Sequence, residues 1–205
     1  MSGPLTPAEL AAMLELDDAV MARLEHYVAL LVECQARLNL VARSTLDDPW
    51  RRHVLDSAQL FRHVPAGART LVDLGAGAGF PGLVLAMMGV PAVTLVEARQ
   101  KKCRFLETVA AATATPVTIK AVRAETLAGP AFDVVTARAL APLDKLLGLS
   151  RRVAGPATTC LFLKGERAER ELTEARARWM MQLSEHPSLS HPDGVLLEIR
   201  DVRAR

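Results

Sequence analysis

VDLGAGAGFPG, residues 72–82, is the stretch of this 205-residue sequence that decides the fold. The apolar run at 70–74 predicts a buried strand, and a helix is expected from about Pro81. The glycines between them let the backbone turn sharply and approach a ligand closely, because they carry no Cβ atom. A strand that leads through a glycine loop into a helix is where an open α/β sheet binds a nucleotide-like ligand. The stretch therefore predicts a Rossmann-like α/β domain with a ligand site at the loop.

Beyond the loop, apolar strands alternate with amphipathic helices. Further strands are predicted at 92–96, 117–120, 132–136, 158–163, 182–185 and 195–202, and further helices at 101–112, 142–153 and 168–181. Alternation of this kind predicts a doubly wound, mostly parallel sheet of seven strands.

The sequence before the loop is predicted to be helical. Thr6, Pro7 and Glu9 mark a helix start, in which Thr6 is the N-cap and Glu9 closes a capping box. A longer amphipathic helix follows, and Asp48-Pro49 opens a third. We expect residues 1–63 to pack as an N-terminal helical cap on a main domain formed by residues 64–205.

Composition and charge narrow the class of protein. The three cysteines form neither a CxxC motif nor a Cys/His pattern, so no disulfide framework and no metal site are expected. No uncharged run is long enough to span a membrane, and the first residues lack a signal-peptide pattern, which predicts a soluble cytoplasmic protein. The net charge is only +2, but the first 48 residues hold three basic and eight acidic side chains. The remainder is therefore basic, which permits a polyanion-facing surface but fits ordinary solvated helix faces equally well.

The loop also reads D-x-G-x-G-x-G, with Asp73 at the end of the strand. This resembles the first motif of class I methyltransferases, whose loop passes under the amino-acid part of S-adenosylmethionine. Asp73, Gly75, Gly77 and Gly79 are thus candidate cofactor residues. A dinucleotide pattern, G-x-G-x-x-G, also fits Gly77, Gly79 and Gly82, but less well, because a proline falls inside it and Gly75 is left unexplained.

Glu97 ends the second predicted strand, 20 residues after Gly77. A carboxylate at this position is expected to accept hydrogen bonds from both hydroxyls of a ribose. The spacing alone also allows a dinucleotide cofactor. The sequence of the glycine loop favours S-adenosylmethionine over a dinucleotide. Together, the loop and Glu97 favour a nucleoside-containing cofactor.

The loops after later strands hold the other candidates. Ala124 and Glu125 follow the third strand, where this fold flanks an adenine, and Arg138 follows the fourth, where methyltransferases place the group that faces the acceptor atom. That loop has no N/D-P-P-Y motif and no cysteine, which argues against an exocyclic amine or a covalently activated pyrimidine as acceptor. Arg138 is a cationic fork suited to a carboxylate, a phosphate or a guanine edge. Lys164 places a second cation on the same rim, and a structural ion pair is the alternative role for either.

With these residues in place, the stretch from Asn39 to Gly165 resembles the glucose-inhibited division protein B family, which methylates N7 of a guanine in 16S ribosomal RNA. The matching pieces are Asn39-Leu40, Arg52 to Ser57, Gly75 to Gly82, Lys101-Lys102, Phe105-Leu106, Arg123 to Glu125, Arg138-Ala139 and Lys164-Gly165. The resemblance implies that the site of S-adenosylmethionine is lined by Gly75, Phe80, Ala124, Glu125 and Arg138.

The resemblance also implies a partner, 16S ribosomal RNA within a small subunit or its precursor, and a monomeric enzyme. Candidate RNA contacts are Asn39, His53, Lys101, Lys102 and Lys164. Guanine N7 carries a lone pair and no proton, so its methylation needs no general base, and Arg138 is expected to act by positioning. Two alternatives stay open: a methyltransferase for a small molecule or protein that shares only the cofactor half, and a non-catalytic RNA-binding protein that assists ribosome assembly.

Overall fold

The computed structural model describes residues 3–205 and contains a single mixed sheet. Its strands are β1 (Thr70–Leu74), β2 (Ala92–Val96), β3 (Val117–Lys120), β4 (Phe132–Arg138), β5 (Ala154–Lys164), β6 (Trp179–Pro187) and β7 (Val195–Ala204). The order across the sheet is β3-β2-β1-β4-β5-β7-β6. The first five strands pair in parallel, whereas β7 lies antiparallel between β5 and β6. The predicted seven-stranded, mostly parallel sheet is confirmed.

Helices cover both faces of the sheet. They are α1 (Pro7–Leu14), α2 (Asp18–Leu38), α3 (Asp56–Ala58), α4 (Gly82–Met87), α5 (Gln100–Ala112), α6 (Leu143–Ser150) and α7 (Ala168–Arg176). Buried side chains of α1, α2, α4 and α5 form one apolar cluster, and those of α6 and α7 form a second. Leu71 of β1 belongs to the first cluster, and Val72 and Leu74 belong to the second, because neighbouring side chains of a strand point to opposite faces. The sheet is therefore doubly wound.

The N-terminal helices share the first cluster with the sheet. The predicted capping box forms at α1, where Thr6 and Glu9 each bond to the other's backbone. Leu24, Tyr27 and Leu31 give α2 a fully buried face against that cluster. The segment from Trp50 to His63 winds as a π-helical turn, then α3, then a 3₁₀ helix. These helices thus contact the sheet, while their organisation as a separate cap formed by residues 1–63 stays a prediction.

The helix predicted at 168–181 is wrong at its end. α7 stops at Arg176, and the chain enters β6 at Trp179. Trp179 is buried in the second apolar cluster, and its indole Nε1 donates to Asp144 Oδ1 at 2.7 Å. The apolar residues at 179–181 also fit a helical period, but in the structure they begin β6 and pair with β7. Tertiary contacts therefore outweigh the local helical preference here. Within residues 3–205, no helix is both long enough and apolar enough to cross a membrane.

Candidate active site

A cavity of about 910 Å³ opens at the carboxyl ends of β1, β4 and β5. This edge is where open α/β sheets bind ligands. Its wall combines the glycine loop, the loops after β4 and β5, part of the N-terminal segment and the turn between β6 and β7. Five separate parts of the chain therefore form most of the wall of one site.

Gly77 faces this cavity, whereas Gly79 faces the protein. A Cβ atom added at Gly77 would meet nothing nearer than 3.7 Å, so the backbone there is open to a ligand. A Cβ atom at Gly79 would lie 2.5 Å from Leu83 Cδ1 and 2.8 Å from the Tyr27 hydroxyl. Both glycines have positive φ angles, of 61° and 104°. Gly77 thus leaves open space beside the loop, and Gly79 allows close packing beneath it.

Asp73 lies under the loop and is fully buried. Its Oδ2 accepts from the Gly82 backbone N–H at 3.0 Å, and its Oδ1 accepts from the Thr136 hydroxyl at 3.0 Å. Burial raises the pKa of Asp73 to about 7, although these two hydrogen bonds act in the opposite direction. Asp73 therefore ties the start of α4 to β1 and β4, and it shapes the loop from below.

Glu97 joins the loop to the end of β2. Its Oε2 accepts from the Gly77 backbone N–H at 3.0 Å, and its Oε1 accepts from the Arg99 backbone N–H at 2.7 Å. The residue is 8% exposed. An ionised carboxylate has about four acceptor positions, so each oxygen keeps one for a ligand hydroxyl. Glu97 fixes the glycine loop, but it is not part of the cavity wall in the described chain, and its contact with a ribose stays a prediction.

We expect Glu97→Gln to weaken binding of S-adenosylmethionine by about 1–3 kcal/mol. The amide keeps one oxygen acceptor, but its NH₂ group would face the N–H of Gly77 or Arg99, so the loop loses a hydrogen bond as well. Isothermal titration calorimetry measures the change. Glu107→Gln, an exposed position on α5, is the matched control. Equal affinity of the Glu97 and Glu107 variants, or tighter binding of NADH than of S-adenosylmethionine to the wild-type protein, would contradict this assignment.

Ala124 and Glu125 begin a short 3₁₀ helix after β3. Ala124 is buried, and Glu125 forms ion pairs with Lys145 at 2.9 Å and Arg123 at 3.3 Å. The hydrogen bond from Lys145 is the main cause that lowers the pKa of Glu125 to about 2. In the described chain, neither residue is part of the cavity wall. Their proposed contact with an adenine stays a prediction.

Arg138, at the end of β4, is held on three sides. Nη1 donates to Asp56 Oδ2 at 3.1 Å and to the Arg52 carbonyl oxygen at 3.0 Å, and Nη2 donates to His53 Nδ1 at 3.1 Å. The guanidinium also lies over the Phe80 ring, 5.0 Å from its centroid. Arg138 thus fastens the N-terminal segment to the glycine loop at the cavity mouth.

His53 is neutral in this arrangement. Burial first, and then the charges of Arg138 and Arg52, lower the pKa of His53 to about 3. Because Arg138 can only donate, His53 Nδ1 must accept, and the proton must lie on Nε2. Nε2 then donates to Thr45 Oγ1 at 2.7 Å, and the ring stacks on Phe80 with centroids 4.9 Å apart. With both nitrogens engaged, His53 is not poised to take a proton from a substrate.

The predicted RNA-contact residues lie in different settings. Lys164 forms an ion pair with Glu171 at 2.7 Å, which is the structural role that the sequence leaves open for this residue. Lys102 lines the cavity beside the glycine loop, while Lys101 is exposed on α5. Asn39 ends α2 in the left-handed conformation and is exposed.

Sequence reasoning missed the turn between β6 and β7. Ser190 Oγ donates to Asp56 Oδ1 at 2.5 Å, and Gln59 Oε1 accepts from the Leu189 backbone N–H at 2.8 Å. These contacts place Ser188 and Ser190 in the cavity wall. No local pattern marks this turn, because its partners lie about 130 residues earlier in the chain.

The sheet order, the antiparallel β7 and the open glycine loop define a Rossmann-like methyltransferase that uses S-adenosylmethionine. The fold is shared by a putative O-methyltransferase from Klebsiella pneumoniae, with a TM-score of 0.62, 17% identity and coverage of 95% of this chain and 96% of that one. It is also shared by the glycopeptide N-methyltransferase MtfA, whose structure contains S-adenosylmethionine, with a TM-score of 0.61, 13% identity and coverage of 72% and 93%. The chain belongs to the GidB family, described as rRNA small subunit methyltransferase G, which it matches over residues 20–195.

Individual relatives agree with this membership. Ribosomal RNA small subunit methyltransferase G of Paramagnetospirillum magneticum is 52% identical over 196 residues, which are 96% of each chain. The protein of the same name from Rhodospirillum rubrum is 46% identical over 97% of this chain and 98% of its own length. The resemblance inferred from the motifs is confirmed.

Proposed function

We propose that this chain transfers a methyl group from S-adenosylmethionine to N7 of a guanine in 16S ribosomal RNA. The names of its relatives support an RNA of the small subunit as substrate. We further propose that the protein acts as a monomer on the small subunit or its precursor, with residues 1–63 as a cap over the cofactor site. The cap supplies Arg52, His53 and Asp56 to the cavity wall, which supports that role.

One observation carries the choice of N7: the two ionisable groups beside Arg138 in the cavity wall, His53 and Asp56, are both hydrogen bonded to other protein groups. His53 is neutral with both ring nitrogens hydrogen bonded, and Asp56 accepts from Arg138 and Ser190. A nitrogen with a lone pair and no proton is the acceptor that such a site suits, because nothing has to be removed from it. Rate enhancement would then come from alignment and electrostatic stabilisation.

The proposed roles follow from these positions. S-adenosylmethionine, when bound, supplies an electrophilic methyl group on its sulfonium sulfur. Gly77 leaves the backbone free to approach the cofactor, and Glu97 offers its remaining acceptor positions to the ribose. Phe80 and Arg138 form the mouth through which the guanine enters. Asp73 acts from below by holding the loop in shape.

We expect replacement of Lys101 and Lys102 by alanine to weaken RNA binding and to make its salt dependence shallower, since each lost phosphate contact lowers the slope by about 0.7–0.9. Turnover at saturating RNA should stay nearly unchanged. Arg203→Ala with Arg205→Ala is the matched control, because it removes the same charge at the opposite edge of the sheet, where β7 ends. Filter binding across a salt series measures both variants. A lysine variant with the salt slope of the control would exclude these lysines as phosphate contacts.

The reaction is tested by mapping 7-methylguanine in ribosomal RNA from cells with and without the gene. Borohydride reduction followed by aniline cleaves RNA at that base, so loss of one cleavage site in the deletion strain names the target. Purified protein and labelled cofactor should restore the site on small subunits from that strain. An unchanged cleavage pattern would favour a small-molecule or protein substrate. If expression of a Gly77→Val variant that cannot bind the cofactor restored the cleavage site in the deletion strain, a non-catalytic role in ribosome assembly would be favoured.

A further inference from the structure

A second polar cluster lies away from the cavity wall, at the end of the cap. It consists of His63, His186 and Glu198, which all lie partly buried. His63 ends the 3₁₀ helix after α3, His186 lies in β6, and Glu198 lies in β7. The two strand residues are diagonal neighbours on one face, because Glu198 pairs with Ser184, two positions before His186.

The distances in this cluster match those around a small metal ion. Glu198 Oε2 lies 3.1 Å from His186 Nε2 and 3.5 Å from His63 Nδ1, and the three ligand atoms all lie within 4.8 Å of one another. In a tetrahedral zinc site with bonds of about 2.0–2.1 Å, neighbouring ligand atoms are about 3.3 Å apart. The cluster therefore needs little rearrangement to close around an ion.

The protonation and hydrogen bonding of the cluster also suit a metal. Both imidazoles point a nitrogen at the same carboxylate oxygen, while Glu198 Oε1 is already taken by Arg200 at 2.9 Å. The second carboxylate oxygen faces both imidazoles, and an imidazole nitrogen presents a lone pair to a metal when its proton lies on the other ring nitrogen.

We propose that His63, His186 and Glu198 bind one divalent transition-metal ion of the zinc type, with water in the fourth position. Two imidazoles and one carboxylate are a ligand set that zinc uses with an open fourth site. No metal site is expected from the cysteine pattern, and His63, His186 and Glu198 lie too far apart in the sequence to form a recognisable ligand motif. A bound ion would join the end of the cap to the β6–β7 hairpin, two residues before the turn that enters the cavity wall.

The test uses the full chain, dialysed against a chelator and then titrated with Zn²⁺ in calorimetry. We expect one Zn²⁺ per chain, and Co²⁺ should give the visible absorption bands of a tetrahedral site, which Zn²⁺ then removes. His63→Gln, His186→Gln and Glu198→Gln should each lower the affinity about tenfold or more, on the scale of losing one ligand. His26→Gln, an exposed histidine on α2, should leave it unchanged.

Thermal unfolding gives a second readout that is independent of methyl transfer. Zn²⁺ should raise the unfolding temperature of the wild-type protein and of His26→Gln, but not that of a folded His63→Gln variant, because a ligand stabilises only the state that binds it. Absence of saturable Zn²⁺ binding to the wild-type protein would overturn the proposal. So would binding that is lost in His191→Gln and kept in all three cluster variants, or equal competition by Mg²⁺.

Discussion

Replacement of Arg138 by alanine is expected to lower methyl transfer at saturating cofactor and RNA by about tenfold or more, which corresponds to about 1.4 kcal/mol. The variant loses three hydrogen bonds at once, to Asp56, His53 and the Arg52 carbonyl, together with the contact over Phe80. The cavity mouth then loses the group that fixes its width. Single-turnover assays on small subunits measure the rate.

Arg138→Lys should be less damaging, because an ammonium group keeps the charge but cannot reproduce a two-pronged donor. Arg151→Ala is the matched control: Arg151 also lies over an aromatic ring, Trp179, at 5.6 Å, but it is not part of the cavity wall in the described chain. Circular dichroism checks that each variant folds. A wild-type rate for Arg138→Ala would reduce Arg138 to a structural ion pair and leave the mouth of the site to be sought elsewhere on the rim.

Gly77→Val should abolish measurable binding of S-adenosylmethionine. The residue has a φ angle of 61°, a conformation that costs an L residue about 1–2 kcal/mol and a β-branched residue more. Its side chain would also project into the cavity, where a Cβ atom has no protein neighbour within 3.7 Å. Backbone strain lowers the stability of the protein, and the side chain fills the space that the cofactor requires. Calorimetry with S-adenosylmethionine measures the loss.

Gly89→Val separates these two effects. Gly89 has a φ angle of 107° and open space around its Cβ position, but it lies on the turn after α4, away from the cavity. Both variants should therefore lose stability, and only Gly77→Val should lose the cofactor. Full cofactor affinity in a folded Gly77→Val variant would remove the glycine loop from the site.

Local sequence patterns predict much of the fold. β1, β2 and β3 begin and end where the sequence predicts, because each is a short apolar run between turn residues. The end of α7 is not predictable in this way. Trp179 suits a helical face as well as it suits a strand, and its pairing with Ala204 across β6 and β7 decides the matter.

In the site, too, some residues can be predicted from local sequence, whereas their contacts with distant residues cannot. Gly77, Glu97 and Arg138 can be placed from the motif order, since each follows a strand of known position. Their partners cannot, because the guanidinium of Arg138 is met by residues that precede it by 82 to 86 positions. Asp73 and Gly79 show a related limit: the motif identifies them, but only packing reveals that they support the loop from beneath.

The contact between Ser190 and Asp56 sets the order in which the site is completed. Ser190 follows Asp56 by 134 residues, so a ribosome has already released the cap, the glycine loop and the first five strands when the turn after β6 emerges. A nascent chain at that stage has a cofactor loop but an unfinished cavity wall. Because domains fold as units during synthesis, we expect a chain whose β6–β7 hairpin has not yet docked to be inactive.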